Sequence, residues 1–367
     1  MPALHDLEDL GQGVWLDFIR RSFIASGGLR GWIDRGARGV TSNPTILDKA
    51  IAGSADYDEE IRRLALLGKS AEEMYLNLAL EDIGAAADLL LPVYESLGGR
   101  DGYVSLEVSP LLACETEATI DAVIRLANLF PQPNVFIKVP ATAQGVPAIR
   151  ALVARGININ VTLIFSLERY KKVLDAYLGG LEDRFDSRLD ITGIASVASF
   201  FVSRVDTAVD KLLEERGEKE LQGKIAIANA KAAYAHFLEV VRTSRWRRLA
   251  DRGARVQRPL WASTSTKNPH YPDTLYVDNL IGPDTVNTLP LETLDAWIDH
   301  GRADLTLMSG LEEAQQQLGA LAATGVDLDA VTDQLTRDGV QAFADSYNHL
   351  LASIEEKRRR YVGEKAA

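Results

Sequence analysis

Short apolar runs alternate with longer stretches of helical periodicity along almost the whole chain. Runs in which β-branched and aromatic residues cluster, or alternate with polar ones, predict strands, while apolar residues spaced three and four apart predict helices. The second strand should stop at the turn signal Asn43-Pro44. The predicted strands are residues 14–19, 39–45, 103–108, 134–142, 157–164, 191–199, 259–263 and 275–278.

Helical periodicity fills most of the sequence between these strands. The clearest stretch, residues 71–91, places Leu76, Leu80 and Ile83 along an apolar stripe and ends before Pro92. The other predicted helices are a stretch that ends near residue 38, and residues 116–129, 146–155, 167–181, 205–215, 225–243, 291–299 and 330–360.

Eight strands that alternate with helices favour a closed (β/α)₈ TIM barrel over an open doubly wound sheet. The two long connections, residues 46–99 and 200–258, are predicted to hold additional helices after strands 2 and 6. A long helix is predicted to end the chain. Because no break in composition divides the sequence, residues 1–367 are predicted to form a single barrel domain.

Composition and charge narrow the choice of partners. A chain with 46% hydrophobic and 25% charged residues is typical of soluble globular proteins. Its 40 basic and 52 acidic residues give a net charge of −12, which argues against nucleic acid as a partner. A local basic pocket for an anion is still compatible with this charge.

The sequence lacks the patterns of disulfides, secretory signals, membrane spans, metal sites and nucleotide sites. The single cysteine, Cys114, cannot form an internal disulfide, and the acidic start is unlike a secretory signal, so we expect a cytoplasmic protein. No apolar segment approaches the roughly 20 residues that cross a bilayer. The histidines are scattered and glycine-rich nucleotide motifs are absent. The sequence therefore predicts no membrane span, no metal and no cofactor.

One charged residue interrupts the apolar fourth strand. Lys138 shares a face with Phe136, while Val135, Ile137 and Val139 share the other face. Burial lowers the pKa of an amine and thereby exposes a nucleophile that can form a Schiff base with a carbonyl. A lysine that snorkels from the strand end to solvent is the alternative interpretation.

Other polar residues are predicted to meet Lys138. In a barrel, residues of one parity point inward and the carboxyl ends of the strands carry the chemistry. This rule turns Ser105 and Glu107 of strand 3 inward, together with three residues of strand 5. The strand 5 residues are Asn158, Asn160 and Thr162, and strands 1, 2 and 6 end at Asp17, Asn43 and Ser199.

This convergence favours a catalytic site. Glu107 alone could be a structural buried acid, and Asn160 alone could tie two strands together. A lysine, two carboxylates and several amides at one barrel mouth would lower stability unless they were paired, and such clusters collect at active sites. Without metal ligands, they indicate imine chemistry on a carbonyl substrate.

A cationic patch is predicted beside this cluster. Arg204 lies at the head of the helix after strand 6, and Lys267 follows four hydroxyl residues in the loop that begins at Ser263. Loops after late barrel strands bind phosphate through helix amino termini, hydroxyls and cations. A solvated turn would explain Lys267 alone, but Arg204 on an adjacent strand end favours a phosphate site.

These segments resemble the transaldolase family, the Schiff-base enzymes of the pentose phosphate pathway. The matching segments span most of the chain in order. They are residues 39–44, 104–108, 136–145, 158–166, 201–204 and 261–264. The loop after Ser263 departs from the family pattern, because other members place an arginine closer to that serine.

The resemblance implies a cofactor-free transfer of a dihydroxyacetone unit from sedoheptulose 7-phosphate to glyceraldehyde 3-phosphate, which gives erythrose 4-phosphate and fructose 6-phosphate. Lys138 would form the imine, Asp17 would act as acid and base on the C4 hydroxyl, and Glu107 and Thr162 would hold the proton-shuttling water. The implied substrate contacts are Thr41, Asn43, Asn160 and Ser199 at the sugar, and Arg204, Ser263 and Lys267 at the phosphate.

Two other functions stay open on the sequence. A class I aldolase would share the imine but release free dihydroxyacetone to water. A non-catalytic barrel that binds sugar phosphates would need hydroxyl and phosphate ligands but no imine lysine, so Lys138, Glu107 and Asp17 argue against it. A monomer and a homodimer are both compatible with the sequence, as the final helix could cover the barrel mouth or a second subunit.

Overall fold

The computed structural model describes residues 2–366 and shows parallel strands that close into an eight-stranded barrel in chain order. Each strand pairs with the next, and the last pairs with the first to close the ring. The predicted (β/α)₈ barrel is therefore confirmed. The strands are β1 (Gln12–Leu16), β2 (Gly39–Thr41), β3 (Tyr103–Glu107), β4 (Val135–Pro140), β5 (Ile159–Ile164), β6 (Ser196–Phe201), β7 (Gln257–Ala262) and β8 (Thr285–Leu289).

Helices surround the barrel. They are α1 (Leu4–Asp9), α2 (Arg21–Ala25), α3 (Gly28–Asp34), α4 (Pro44–Ile51), α5 (Asp58–Leu66), α6 (Ala71–Ser96), α7 (Thr116–Ala127), α8 (Gly145–Ala154), α9 (Leu167–Asp186), α10 (Ser203–Arg216), α11 (Ile225–Val241), α12 (Ser244–Ala250), α13 (Leu275–Asn279), α14 (Leu291–His300), α15 (Leu311–Ala323) and α16 (Leu328–Ala366). The long connections after β2 and β6 hold additional helices, as predicted: α4–α6 in the first connection, and α10 and α11, followed by α12, in the second. Within residues 2–366, no helix combines the length and apolar character needed to cross a lipid bilayer.

The predicted eighth strand, residues 275–278, is wrong. This segment lies in the short helix α13, where Tyr276 and Val277 are buried. The true β8 contains polar residues that are fully buried. Among them, Thr285 accepts a hydrogen bond from Gln12, and Asn287 accepts one from the Thr264 hydroxyl. A search for apolar runs misses such a strand, because its polar side chains find partners inside the protein.

Smaller differences lie at element boundaries. β1 ends at Leu16, so Asp17 follows the strand, and Ser199 lies inside β6 rather than at its end. Asn158, predicted to face the lumen, precedes β5. Its amide nitrogen donates to the Pro133 carbonyl and its oxygen accepts the Ala195 N–H, which links loops at the amino end of the barrel. Helices α1, α12 and α15 were not predicted.

The strand register brings the predicted inward residues together. Glu107 pairs with Lys138, and Lys138 pairs with Asn160, across β3, β4 and β5. The Asn160 amide also donates to the Ser105 hydroxyl at 3.0 Å, although β3 and β5 are not neighbours. A bond between non-adjacent strands must cross the lumen, so these side chains fill the interior of the barrel.

Helix α16 packs against α4, α5, α6, α10 and β5. Its contacts with the connection after β2 include a hydrogen bond between the Thr45 and Ser346 hydroxyls at 2.9 Å and an ion pair between Lys357 and Asp58 at 2.6 Å. At Gly339 a side chain would meet Leu163 of β5 at 2.8 Å, so a residue without Cβ allows this close approach. The helix therefore lies over the carboxyl end of the barrel.

Candidate active site

A cavity of about 640 Å³ opens at the carboxyl end of the barrel. Nine of the eleven predicted site residues line it, namely Asp17, Thr41, Asn43, Lys138, Thr162, Ser199, Arg204, Ser263 and Lys267. The other two, Glu107 and Asn160, lie directly beneath, each in contact with a lining residue. The structure thus gathers, at one mouth, side chains from β2, β4, β5 and β6 and from the segments that follow β1, β2, β6 and β7.

Lys138 is buried at the floor of this cavity, with 4% of its surface exposed. Its Nζ atom donates to the Ser42 carbonyl at 3.0 Å and lies 3.6 Å from Oε2 of Glu107. The alternative of a lysine that snorkels to solvent is therefore wrong. The Glu107 carboxylate lies close enough to take a proton from Lys138, and a neutral lysine amine is a nucleophile.

Glu107 is suited to accept that proton. It is 5% exposed, and neither of its carboxylate oxygens has a hydrogen-bond partner in the described structure. Burial raises the pKa of Glu107 to about 7, and the nearby Lys138 opposes that rise. The Thr162 hydroxyl is also fully buried without a described partner. Unpaired buried polar atoms lower stability, which is typical of functional sites.

Asp17 stands at the end of β1, half-buried at the cavity wall. Its Oδ1 accepts a hydrogen bond from the Thr41 hydroxyl at 2.8 Å, and that hydroxyl lies 2.6 Å from the Thr288 hydroxyl. Burial raises the pKa of Asp17, while Lys138, Thr41 and other nearby groups oppose the rise. This carboxyl is held in a fixed orientation and can exchange a proton with a group bound in the cavity.

Amide and hydroxyl groups complete the interior. The Ser199 hydroxyl donates to Oδ1 of Asn160 at 2.7 Å, so these two residues orient each other. The Asn43 side-chain oxygen accepts the Ile46 N–H at 2.9 Å and caps α4. That cap leaves the Asn43 amide nitrogen to donate to a ligand.

Arg204 and Lys267, the two predicted phosphate ligands, are among the cationic side chains that line the cavity. Arg204 is half-buried at the start of α10, its guanidinium 5.4 Å from the Phe201 ring centroid. Burial lowers the pKa of Arg204, and Asp17 opposes that change. Lys267 is exposed, and its Nζ donates to the Ser265 hydroxyl at 2.9 Å. Together with the Ser263 hydroxyl, they can bind a phosphate group.

The cavity is also lined by residues that were not predicted as site residues, among them Thr288 and Phe343. Thr288 was missed because the eighth strand was predicted in the wrong place. With β8 correctly placed, Thr288 would have been predicted beside Thr41, whose hydroxyl it contacts. Phe343 arrives from α16 and is 3% exposed where it lines the cavity. No local pattern distinguishes Phe343 from other apolar residues of that helix. Among the described residues, no three His, Cys, Asp or Glu side chains converge in a way that could hold a metal ion.

Comparison with known proteins agrees with this geometry. The sequence profile of the family described as Transaldolase/Fructose-6-phosphate aldolase matches residues 14–354. A transaldolase of Acidothermus cellulolyticus is 49% identical over 98% of this chain and 99% of its own length. A transaldolase of Saccharopolyspora erythraea is 49% identical over 96% of this chain and 97% of its length. A transaldolase of Trichodesmium erythraeum is 43% identical over 97% of this chain and 98% of its length.

Proposed function

This chain belongs to the transaldolase/fructose-6-phosphate aldolase family, and we propose that it is a transaldolase that works through a Schiff base on Lys138. It would move a dihydroxyacetone unit from sedoheptulose 7-phosphate to glyceraldehyde 3-phosphate, giving erythrose 4-phosphate and fructose 6-phosphate. The observation that carries this proposal is the buried Lys138 amine, 3.6 Å from Glu107 at the floor of a cavity that Arg204 and Lys267 also line.

Imine formation uses the pair at the cavity floor. The Lys138 ammonium group transfers a proton to the Glu107 carboxylate, and the neutral amine that results attacks the C2 carbonyl of the ketose phosphate. The carbinolamine then loses water, with its leaving oxygen protonated through a water molecule held by Glu107 and the Thr162 hydroxyl. A carboxyl with a pKa of about 7 can both accept and return a proton near neutral pH.

Carbon–carbon cleavage uses Asp17. Its carboxylate accepts the proton of the C4 hydroxyl, the C3–C4 bond breaks, and the electron pair moves to the iminium nitrogen. An enamine stays on Lys138 while the aldehyde departs. Addition of the enamine to the acceptor aldehyde reverses these steps, and Asp17 returns its proton. The hydrogen bond from Thr41 holds the Asp17 carboxylate in one orientation throughout.

Substrate contacts follow from the remaining side chains. Asn43, Asn160 and Ser199 bind the hydroxyls of the dihydroxyacetone unit, and Thr41 completes that wall. Arg204, Ser263 and Lys267 bind the phosphate. Because the sugar ligands and the phosphate ligands are different sets of residues, a phosphorylated ketose binds in the cavity in one orientation.

Borohydride reduction tests the proposal. Incubation with fructose 6-phosphate and borohydride should leave a covalent adduct on Lys138, identified by peptide mass. Lys138→Ala should lose the adduct and the turnover while it stays folded, since only the nucleophile is removed. Lys231 offers a matched control, because it is also a buried lysine but donates to the Ser309 carbonyl outside the cavity. An adduct on another lysine, or turnover in Lys138→Ala, would contradict the proposal.

A further inference from the structure

Helix α10 connects the two cations of the proposed phosphate site. Arg204 is its second residue, and Asp206 and Asp210 follow on the same helix. Both carboxylates reach the segment that follows β7: Asp206 accepts the Tyr276 hydroxyl at 3.0 Å, and Asp210 accepts the Tyr271 hydroxyl at 2.7 Å. One helix therefore carries a phosphate ligand and also anchors the segment that carries the other cation.

The Tyr271–Asp210 contact is closely fitted. The other carboxylate oxygen of Asp210 accepts the Gly223 N–H at 3.0 Å, which fixes the orientation of the carboxylate. The Tyr271 ring lies against Gly223, where a Cβ atom would come within 2.9 Å of Cζ. Gly223 also has a φ of +71°, so glycine suits this position for two reasons. Tyr271 is thus held by its ring and by its hydroxyl.

Lys267 lies between two anchors. The loop of residues 263–274, called here the β7 loop, is tied at its start by a hydrogen bond between the Ser203 and Ser263 hydroxyls at 2.9 Å and by the Ser203 N–H on the Ser263 carbonyl. The second anchor is Tyr271 on Asp210. Between them Lys267 is exposed and donates to Ser265 of the same loop. The position of its ammonium group therefore depends on how the loop is held.

We propose that the Tyr271–Asp210 hydrogen bond is a positioning contact. It holds Lys267 at the distance from Arg204 at which both can bind one phosphate group, and so sets the preference for phosphorylated substrates. Neither Tyr271 nor Asp210 lines the catalytic cavity, and both act through Lys267. The inference rests on the proposed phosphate role of Lys267. Misplacing a charged ligand by about an ångström weakens binding of the group it contacts, while the reacting end is unchanged.

The test compares phosphorylated with unphosphorylated substrate in a Tyr271→Phe variant. The KM for fructose 6-phosphate should rise roughly tenfold with kcat nearly unchanged, since binding common to ground and transition state is lost. The rate at which dihydroxyacetone, which has no phosphate, is trapped on Lys138 by borohydride should equal that of the wild type. Tyr177→Phe is the matched control, because its hydroxyl donates to the Arg255 carbonyl at 2.7 Å outside the cavity.

Combination with Lys267→Met separates the two proposals. If Tyr271 acts through Lys267, Tyr271→Phe should add little to the KM of Lys267→Met, so the two effects are not additive. Additive effects, or an equal loss with dihydroxyacetone, would overturn the positioning role. A normal KM in Lys267→Met would overturn both that role and the ligand assignment of Lys267, while the adduct on Lys138 would still support the Schiff-base enzyme.

Discussion

Lys138 and Glu107 are register partners on β4 and β3, and their charged groups lie 3.6 Å apart with almost no exposure to solvent. Burying two charges costs solvation, and their mutual attraction often fails to recover that cost. Neither Glu107 oxygen has a hydrogen bond in the described structure, so little offsets the solvation that this pair loses on burial. Its arrangement instead matches the proton transfer that imine formation needs.

Removal of the Glu107 charge should slow the formation of the imine. Glu107→Gln preserves the shape of the side chain but cannot accept a proton, so trapping of dihydroxyacetone on Lys138 should slow by about 10²–10⁴-fold. Stopped reactions at increasing times would give the rate by peptide mass. In the wild type that rate should rise as pH passes about 7, where the carboxyl ionises, and the rise should vanish in the variant. A wild-type rate in Glu107→Gln would contradict the assigned role.

Loss of the Asp17 carboxylate should stop cleavage but not imine formation. Asp17→Asn keeps an acceptor for the Thr41 hydroxyl, yet it cannot take the proton of the C4 hydroxyl. Borohydride should therefore trap an intact six-carbon ketose phosphate on Lys138, whereas the wild type also gives the three-carbon unit. The peptide mass distinguishes these adducts. A three-carbon adduct formed at the normal rate would show that another group accepts the proton.

Helix α16 should keep water away from the enamine. Phe343 lines the cavity, so Phe343→Ala opens the mouth, and free dihydroxyacetone released without acceptor should increase several-fold relative to transfer. The change should also lower the free energy of unfolding by about 3–5 kcal/mol. Leu350→Ala serves as the control, because Leu350 is buried on the same helix but does not line the cavity. If both variants released free dihydroxyacetone equally, lost stability alone would explain the release, and the prediction for Phe343 would be wrong.

Stability should fall as pH rises towards neutrality, partly through Asp206. Burial raises the pKa of this carboxyl from 3.8 to about 7, so the folded chain holds its proton more tightly than the unfolded chain. Its contribution is complete below pH 3.8 and is lost as pH rises to about 7. Asp206→Asn should remove this slope, which is at most about 1.4 kcal/mol per pH unit for one group.

Urea unfolding at several pH values measures that slope. Asn at position 206 can still accept the Ala226 N–H, so the variant should fold. Asp121→Asn is the control, because Asp121 is exposed on α7. Its unfolding free energy should follow the wild-type pH dependence, and an unchanged slope in Asp206→Asn would contradict the prediction.

Much of the fold was readable from local pattern. Alternation along β3, β4 and β5 separated Glu107, Lys138 and Asn160 from their outward neighbours, because a strand turns successive side chains to opposite faces. The number of strands came out correctly, although one was misplaced. The missed strand, β8, has buried polar side chains whose partners Gln12 and Thr264 lie far away in the sequence. A local search for apolar runs cannot detect such partners.

The sequence by itself determined the barrel architecture, the inward lysine and carboxylate, and the family resemblance, because each depends on residue type and on a period of two or 3.6 within one segment. Only the tertiary structure decided which distant residues complete the site. Phe343 reaches the cavity from the last helix, and Tyr271 meets Asp210 across two separate connections. Such contacts depend on how helices pack around the closed barrel, and no single segment encodes that packing.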